Sequence, residues 1–153
     1  MIVEDADNFQ LVRSVRSVAE EEAMRTEAAV LNPNEPGGLS SAERLAFASR
    51  IARLADNYRL ADLYQEQLEE RSPSAELLEI AQGFAPADTR LAVLAEHVDL
   101  ITVRPIDAAA EHIQILQRAG ISDADIVRLT ELVSFMSYRV RTEAALHFLE
   151  IAR

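Results

Sequence analysis

The sequence predicts an all-α fold, a bundle of six to seven helices, and two observations carry this prediction. Glycine and proline number only 4 and 5 in 153 residues, and strand-like alternation is scarce. Ser40 and Glu43 have the spacing of a capping box, and they open a run in which Phe47, Ile51 and Leu54 recur at helical intervals. The length and the hydrophobic fraction of 49% are those of a globular chain that can bury a core.

The predicted helices follow one another with short connections. Residues 7–31 form the first, either as one helix or as two shorter ones, and the stretch 32–38, rich in Asn, Pro and Gly, is the clearest loop. Two helices within residues 40–70 then meet at Asp56 and Asn57, and Asn57 is the predicted N-cap of the second. Four more helices are expected: Ser72 to Gly83, Pro86 to Val103, Asp107 to Ala119 with Gly120 at its C-terminus, and Asp123 to roughly Ala152.

Two inner faces follow from the spacing of apolar residues. The first helix is predicted to bury Phe9, Val12, Val15, Val18 and Ala19, and the last to bury Ile126, Leu129, Val133, Met136, Val140, Ala144 and Phe148. Residues 1–38 are therefore predicted to be an N-terminal helical arm and loop, and residues 39–153 a helical domain. The loop is too short to separate two domains, so we expect one compact domain overall.

The charge balance and the missing residue types exclude several classes of function. The chain has 26 acidic and 15 basic residues, so we expect no nucleic-acid binding and no polybasic membrane contact. All basic residues are arginine and none of the residues is cysteine, which excludes lysine Schiff bases, disulfides and thiol catalysis. No apolar run approaches the roughly 18 residues of a membrane span, and no signal-peptide pattern is visible. A cytoplasmic location is expected.

Two segments together resemble a known superfamily. They read AERLAFASRIARLADNYRLADLYQEQL and LQRAGISDADIVRLTELVSFMSYRVRTEAAL, and they resemble the carboxymuconolactone decarboxylase and alkylhydroperoxidase D (AhpD)-like superfamily. The resemblance spans roughly residues 39–150, and the N-terminal arm is similar to that of the subgroup of CMD domain proteins. It implies an AhpD-like helical bundle that forms a homo-oligomer, either a dimer, a trimer or a hexamer.

In the peroxidase branch of this superfamily, the second helix of the central pair begins with Cys-x-x-Cys-x-x-x-His. That arrangement lowers a thiolate pKa at the helix N-terminus and places a base one turn further on. In this sequence the three positions fall at Asn57, Leu60 and Tyr64, none of which can carry a disulfide cycle. The resemblance therefore implies that thiol peroxidase activity has been lost. The acidic residue of the family's proton relay corresponds to Glu43, although the capping box explains Glu43 without it.

The decarboxylase branch works by proton transfer and has a histidine as its expected acid or base. The three histidines here, His97, His112 and His147, fall on three different predicted helices. A structural or surface role is the more common one for each. No two have the helical spacing of a metal-binding pair, so we expect no metal site, and no cofactor is implied.

Charged and phenolic side chains supply the remaining site candidates. Arg139 and Arg141 lie in the middle of the long last helix, where a charge needs a partner. One of them is expected to pair with Glu43 or Asp56, and the alternative is a bidentate contact with a ligand carboxylate. The tyrosines are interpreted as a packed helical interface, with a small pocket as the alternative; they are Tyr58, Tyr64 and Tyr138.

Three hypotheses about function remain open. The first is a non-peroxidatic binding or accessory subunit, which works with a redox-active relative. The second is a cofactor-free acid/base enzyme of the decarboxylase or isomerase type, acting on a small carboxylate or carbonyl compound. The third is a purely structural bundle. A cavity that joins Tyr64, Arg139 or Arg141 and a histidine would favour the enzyme, whereas a filled interior there would favour the binding protein.

Overall fold

The computed structural model describes residues 17–18 and 20–151, and at residues 149 and 150 the backbone alone. In this part of the chain it has seven α-helices, one 3-10 turn and no strand, which confirms the predicted all-α bundle. The elements are α1 (17–18 and 20–31), α2 (Ser41–Leu54), α3 (Tyr58–Glu69), α4 (Ala75–Ala81), α5 (Thr89–Val103), the 3-10 turn Pro105–Asp107, α6 (Ala110–Arg118) and α7 (Asp123–Ile151).

Helix α2 is the centre of the bundle and packs against α3, α4, α5 and α7. Every residue from Arg44 to Ala52 is buried, so the helix has no solvent-facing side over that length. The sequence predicted only a stripe through Phe47, Ile51 and Leu54, and this prediction was wrong in part. Leu54 is 38% exposed, and alanines fill much of the remaining surface of α2, which lets the neighbouring helices approach closely.

Two buried polar side chains of α2 connect it to its neighbours. The hydroxyl of Ser49 lies 2.8 Å from the carbonyl oxygen of Ala61 and 3.1 Å from that of Ala81, so it links the ends of α3 and α4 to α2. Arg50 forms a bidentate ion pair with Asp99 of α5, at 2.6 and 2.7 Å. These contacts satisfy groups that burial would otherwise leave unpaired.

Arg44 fixes the loop between α1 and α2. Its side chain is buried, and its guanidinium donates hydrogen bonds of 2.9 to 3.0 Å to three carbonyl oxygens, those of Val30, Pro36 and Leu39. The three acceptors lie in the last turn of α1, within the loop, and just before the N-cap of α2, so one planar side chain sets the path of the whole segment. The same loop is held on its other side by Asp125, which accepts a hydrogen bond from the amide of Gly38 at 2.9 Å.

Several predicted helix starts differ from the observed ones by a few residues. Ser74, not Ser72, caps α4, because Ser72 has a left-handed φ of 51° that takes the backbone out of a helix. Asp88 caps α5, so that helix begins after the predicted start at Pro86. The predicted start at Asp107 falls in the 3-10 turn instead, and α6 begins at Ala110. The predicted ends at Gly83 and Gly120 are confirmed, with φ of 96° and 83°.

The inner faces predicted for the first and last helices are only partly right. In α1, Val18 is 60% exposed, while Phe9, Val12, Val15 and Ala19 lie outside the described residues. In α7 the stripe is buried from Ile126 to Met136, but Ala144 is exposed and Phe148 is 70% exposed. At about 1.5 Å per residue, this helix outruns the bundle that it packs on. None of the described helices is long and apolar enough to cross a membrane.

Candidate functional site

The junction of α2 and α3 is tight and ends in a side-chain cap. Asp56 takes a left-handed φ of 56°, which turns the chain within two residues. Asn57 is the N-cap of α3, as predicted, and its side-chain oxygen accepts a hydrogen bond of 3.0 Å from the amide of Leu60. Its side-chain amide donates a hydrogen bond of 2.6 Å to Glu143 of α7. The cap therefore also connects α3 to the long last helix.

The three positions singled out from the resemblance share one face of α3. Asn57, Leu60 and Tyr64 are separated by three and four residues, and this spacing aligns them along the helix. Leu60 and Tyr64 have no exposed surface. A solute therefore has no access to the second and third positions of the motif.

Tyr64 is part of a buried polar group that joins three helices. Burial raises the pKa of Tyr64 to about 12, the nearby Glu27 carboxylate adds to this rise, and Arg139 opposes it. Glu27 belongs to α1, and its carboxylate lies 3.8 Å from the Nε of Arg139 on α7. The hydroxyl of Tyr64 makes no hydrogen bond of normal geometry to any described residue. The phenol is therefore neutral at physiological pH, and it lies near the Glu27 carboxylate and the Arg139 guanidinium.

The partner predicted for the arginine in the last helix was wrong. Arg139 pairs with Glu27, whereas Glu43 and Asp56 were the expected partners. Glu43 is used elsewhere: it completes the capping box with Ser40, whose amide donates to it at 2.7 Å, and it pairs with Arg90. Glu43 lies in the first turn of α2 and Asn57 lies beyond its last, so the two are about 20 Å apart at the rise of an α-helix.

These residues form what we call the α3 cluster: Asn57, Tyr64, Glu27, Arg139 and Glu143, with the ion pair of Arg59 to Glu143 at its edge. It contains neither a thiol nor an imidazole, so it can neither form a disulfide nor supply a base that titrates near neutral pH. Its half-buried charged side chains connect α1, α3 and α7. Such pairs are costly to break, because removal of one partner leaves the other unpaired.

A groove lies on the other side of α7, between that helix, α5 and α6. Its volume is about 860 Å³. The lining combines an apolar floor with hydroxyl groups and three charged or titratable side chains, His97, Tyr138 and Arg141. It consists of His97, Ile101, Thr102, Pro105, Ala108, Ala109, Ala110, Ile113, Thr130, Val133, Ser134, Ser137, Tyr138, Arg141 and Thr142. Its size and composition are those of a small-molecule site.

Two buried polar atoms of the groove have no partner among the described residues. They are Nδ1 of His97 and the hydroxyl oxygen of Thr102, both on α5. His97 is only 7% exposed, and burial, with a smaller effect of His112, lowers its pKa. The imidazole is therefore neutral at pH 7, with one nitrogen free to accept a hydrogen bond. Unpaired buried polar atoms are uncommon in folded proteins, and a bound ligand is one way to satisfy them.

The other histidines and tyrosines do not join a catalytic group. His112 accepts a hydrogen bond of 3.0 Å from the amide of Ala109 at the start of α6, and His147 is exposed near the end of α7. Tyr58 is 57% exposed and Tyr138 lines the groove, so the three tyrosines do not share a pocket or an interface. In the described residues, no three or more histidine, aspartate and glutamate side chains are arranged to hold a metal ion.

The sequence reasoning missed Glu27, Glu143 and Thr102. For one of them a signal was present: Glu143 follows Arg139 by four residues, so the two lie on the same face of α7 as neighbours. A charged pair on one face in a core helix indicates that this face meets polar groups of another helix. Glu27 and Thr102 gave no such signal, because their roles arise only from tertiary packing.

Replacing Asn57 with alanine is expected to lower the free energy of unfolding by about 1–2 kcal/mol, since it removes an N-cap and leaves the buried Glu143 carboxylate without one of its donors. Equilibrium urea unfolding measures the change. Asn57→Ser is the matched control: it keeps a capping oxygen but is too short to reach Glu143. If serine and alanine destabilise equally, the cap contributes nothing and the bond to Glu143 accounts for the whole effect.

Comparison with known proteins bears on the fold. The chain is similar to the solved structure of an uncharacterized peroxidase-related protein from Silicibacter sp. TM1040, with a TM-score of 0.72 and 17% sequence identity. The match covers 82% of this chain and 66% of that protein, so the chain spans less than two thirds of its neighbour's length. No protein-family model matches the chain, and no curated protein matches it. The likeness shows that the chain has the fold of a peroxidase-related protein.

Proposed function

We propose that this chain is an AhpD-like protein without peroxidase activity that binds a small molecule in the groove between α5, α6 and α7. The observation that carries the proposal is the groove itself, whose lining includes two residues, His97 and Thr102, that each have a buried polar atom without a partner among the described residues. A ligand with one hydrogen-bonding group and an apolar body would satisfy both kinds of surface.

The α3 cluster supports the non-peroxidatic part of the proposal. At the positions where the family's peroxidases carry two sulfurs and an imidazole, this chain has Asn57, Leu60 and Tyr64, and two of these have no exposed surface. The space beside them is occupied by Arg139 and Glu143. A peroxide would find neither a nucleophile nor an entry path at this place. A filled interior around Tyr64 favours the hypothesis of a non-peroxidatic binding protein over that of an enzyme.

An accessory role beside a redox-active relative, and assembly into a homo-oligomer, remain parts of this proposal. The resemblance supports both, since proteins of this superfamily usually assemble from identical subunits. The acid/base alternative has one observation in its favour, because the groove brings together His97 and Arg141, which lie on different helices. The groove does not contain the Tyr64 and Arg139 side chains that this alternative would use, because both belong to the α3 cluster.

The test is ligand binding followed by NMR on the full chain, with 2-naphthoate and 2-naphthamide as probes. We expect saturable chemical-shift changes at residues that line the groove, and their loss in Ser137→Trp, which fills it. Ala145→Trp is the matched control, because Ala145 is on the same helix, exposed and outside the groove. The purified chain is expected to show no turnover of cumene hydroperoxide with a dithiol reductant.

Two results would overturn the proposal. One is the failure of both probes to produce saturable shifts at millimolar concentration, and the other is peroxide turnover by the chain alone. The same samples decide between binding and acid/base chemistry. Phenylpyruvate in deuterated buffer would exchange its C3 hydrogens faster with the wild-type chain than with His97→Gln if the groove performed proton transfer. Equal exchange rates are expected from a binding protein.

A further inference from the structure

The groove differs from the rest of this acidic protein in its charge. The chain carries a net charge of −11, yet none of the residues that line the groove is an aspartate or a glutamate. The only charged side chain in the lining is Arg141. A neighbouring cleft between α1 and α7, which shares Thr130, Ser134 and Tyr138 with the groove, shows the contrast, because Glu22 and Glu131 both line it. The groove is thus a local positive site on a surface that otherwise repels anions.

Arg141 is an exposed residue at the rim of the groove, and it has no ion-pair partner among the described residues. Most arginines of the buried and half-buried regions are paired, as Arg50 is with Asp99 and Arg128 with Asp125. Arg139, two residues away on the same helix, pairs with Glu27. An unpaired guanidinium at the edge of an apolar groove keeps all five of its donors available for a planar anion, and a carboxylate matches that geometry.

The groove is therefore lined by three kinds of side chain: a cation at Arg141, an apolar floor that includes Ile101, Ile113 and Val133, and the polar side chains of His97 and Thr102. We infer that it binds a small monocarboxylic acid with a ring-shaped hydrocarbon body and a hydroxyl group, the carboxylate on Arg141 and the hydroxyl beside His97 or Thr102. This inference rests on the proposed function and names the ligand class for the same site. The volume of about 860 Å³ admits a two-ring body.

Isothermal titration at pH 7.5 tests the inference with three probes of nearly equal size. They are 2-naphthamide, 2-naphthoate and 6-hydroxy-2-naphthoate. We expect the acid to bind about tenfold more tightly than the amide, and the hydroxy acid to bind more tightly again. Arg141→Gln is expected to remove the preference for acid over amide and to leave the affinity for the amide unchanged. Arg118→Gln, an exposed arginine outside the lining, is the matched control.

A second variant separates the hydroxyl contact from the charge. Thr102→Val keeps the shape of the side chain and removes its hydroxyl, so it is expected to reduce the advantage of the hydroxy acid without changing that of acid over amide. Equal affinities of amide and acid in the wild-type chain, or an undiminished preference in Arg141→Gln, would overturn the inference while the groove remained a binding site. Failure of all three probes to bind would instead overturn the proposed function.

Discussion

Tyr64→Ala is expected to lower the free energy of unfolding by about 3–5 kcal/mol. The ring has no exposed surface and packs in the core beside Leu60 and Ala61, and its removal would leave a cavity that the closely packed α2 cannot fill. Equilibrium urea unfolding followed by circular dichroism measures this change. The cost arises from the ring and not from the hydroxyl, since the hydroxyl makes no hydrogen bond of normal geometry to a described residue.

Tyr64→Phe tests that separation directly. It keeps the ring, removes a buried hydroxyl that has no partner, and is therefore expected to change stability by less than about 1 kcal/mol or to raise it. Tyr58→Phe is the control, because Tyr58 is exposed and its loss of a hydroxyl is expected to have little effect. A loss of more than about 2 kcal/mol in Tyr64→Phe would mean that Glu27 or Arg139 bonds the phenol in solution. The phenol would then be a working part of the α3 cluster.

Arg44→Met has the second large expected effect, again about 3–5 kcal/mol of unfolding free energy. Methionine preserves most of the apolar stem but removes donors to three carbonyl oxygens, those of Val30, Pro36 and Leu39. Hydrogen bonds to a charged group contribute about 1.5–3 kcal/mol each, and the three losses are not additive because they share one side chain. The change is measured by equilibrium unfolding, and hydrogen exchange in residues 32–39 reports the loop itself.

Two controls define what the arginine contributes. Arg44→Lys keeps the charge but cannot point donors at three acceptors in one plane, so it is expected to recover only part of the loss. Arg25→Met removes an arginine whose side chain is 72% exposed and is expected to change stability by less than about 0.5 kcal/mol. If Arg44→Met is as mild as Arg25→Met, the loop is held by Asp125 and the packing around Leu39 instead.

Local signals in the sequence were sufficient for much of the fold. The capping box of Ser40 and Glu43, the cap at Asn57 and the glycine ends at Gly83 and Gly120 depend only on residues within a few positions of each other. Such contacts are encoded by spacing, so they can be inferred without knowledge of the tertiary structure. The errors at Ser72 and Pro86 arose where a second acceptable start, Ser74 or Asp88, lies two residues further on, and the error at Asp107 arose because a 3-10 turn precedes α6.

Tertiary relations could not be inferred in the same way. The complete burial of α2 depends on four other helices closing around it, and a stripe of large apolar residues describes only the most hydrophobic side of such a helix. The partner of Arg139 is on α1, more than 100 residues earlier in the chain, and nothing near Arg139 in the sequence indicates Glu27. Long-range charge pairs of this kind require the fold before they can be assigned.

The candidate site was predicted less completely than the fold. The positions Asn57, Leu60 and Tyr64 do lie together on one face of α3, and Arg141 and Tyr138 do line a cavity. The division between them was not predicted, although side chains two residues apart on a helix point about 200° away from each other and so face different neighbours. Arg139 thus belongs to the α3 cluster and Arg141 to the groove, although only Val140 separates them.

The ion pair of Arg50 with Asp99 has a consequence for the direction in which His97 points. Asp99 follows His97 by two residues on α5, which places the two side chains about 200° apart around the helix axis. The bidentate ion pair with Arg50 restrains rotation of α5 about its own axis. It therefore helps to fix the direction of the His97 imidazole on the other side of the helix, although neither Arg50 nor Asp99 lines the groove. The orientation of one residue of the groove lining therefore depends on an ion pair on the other side of α5.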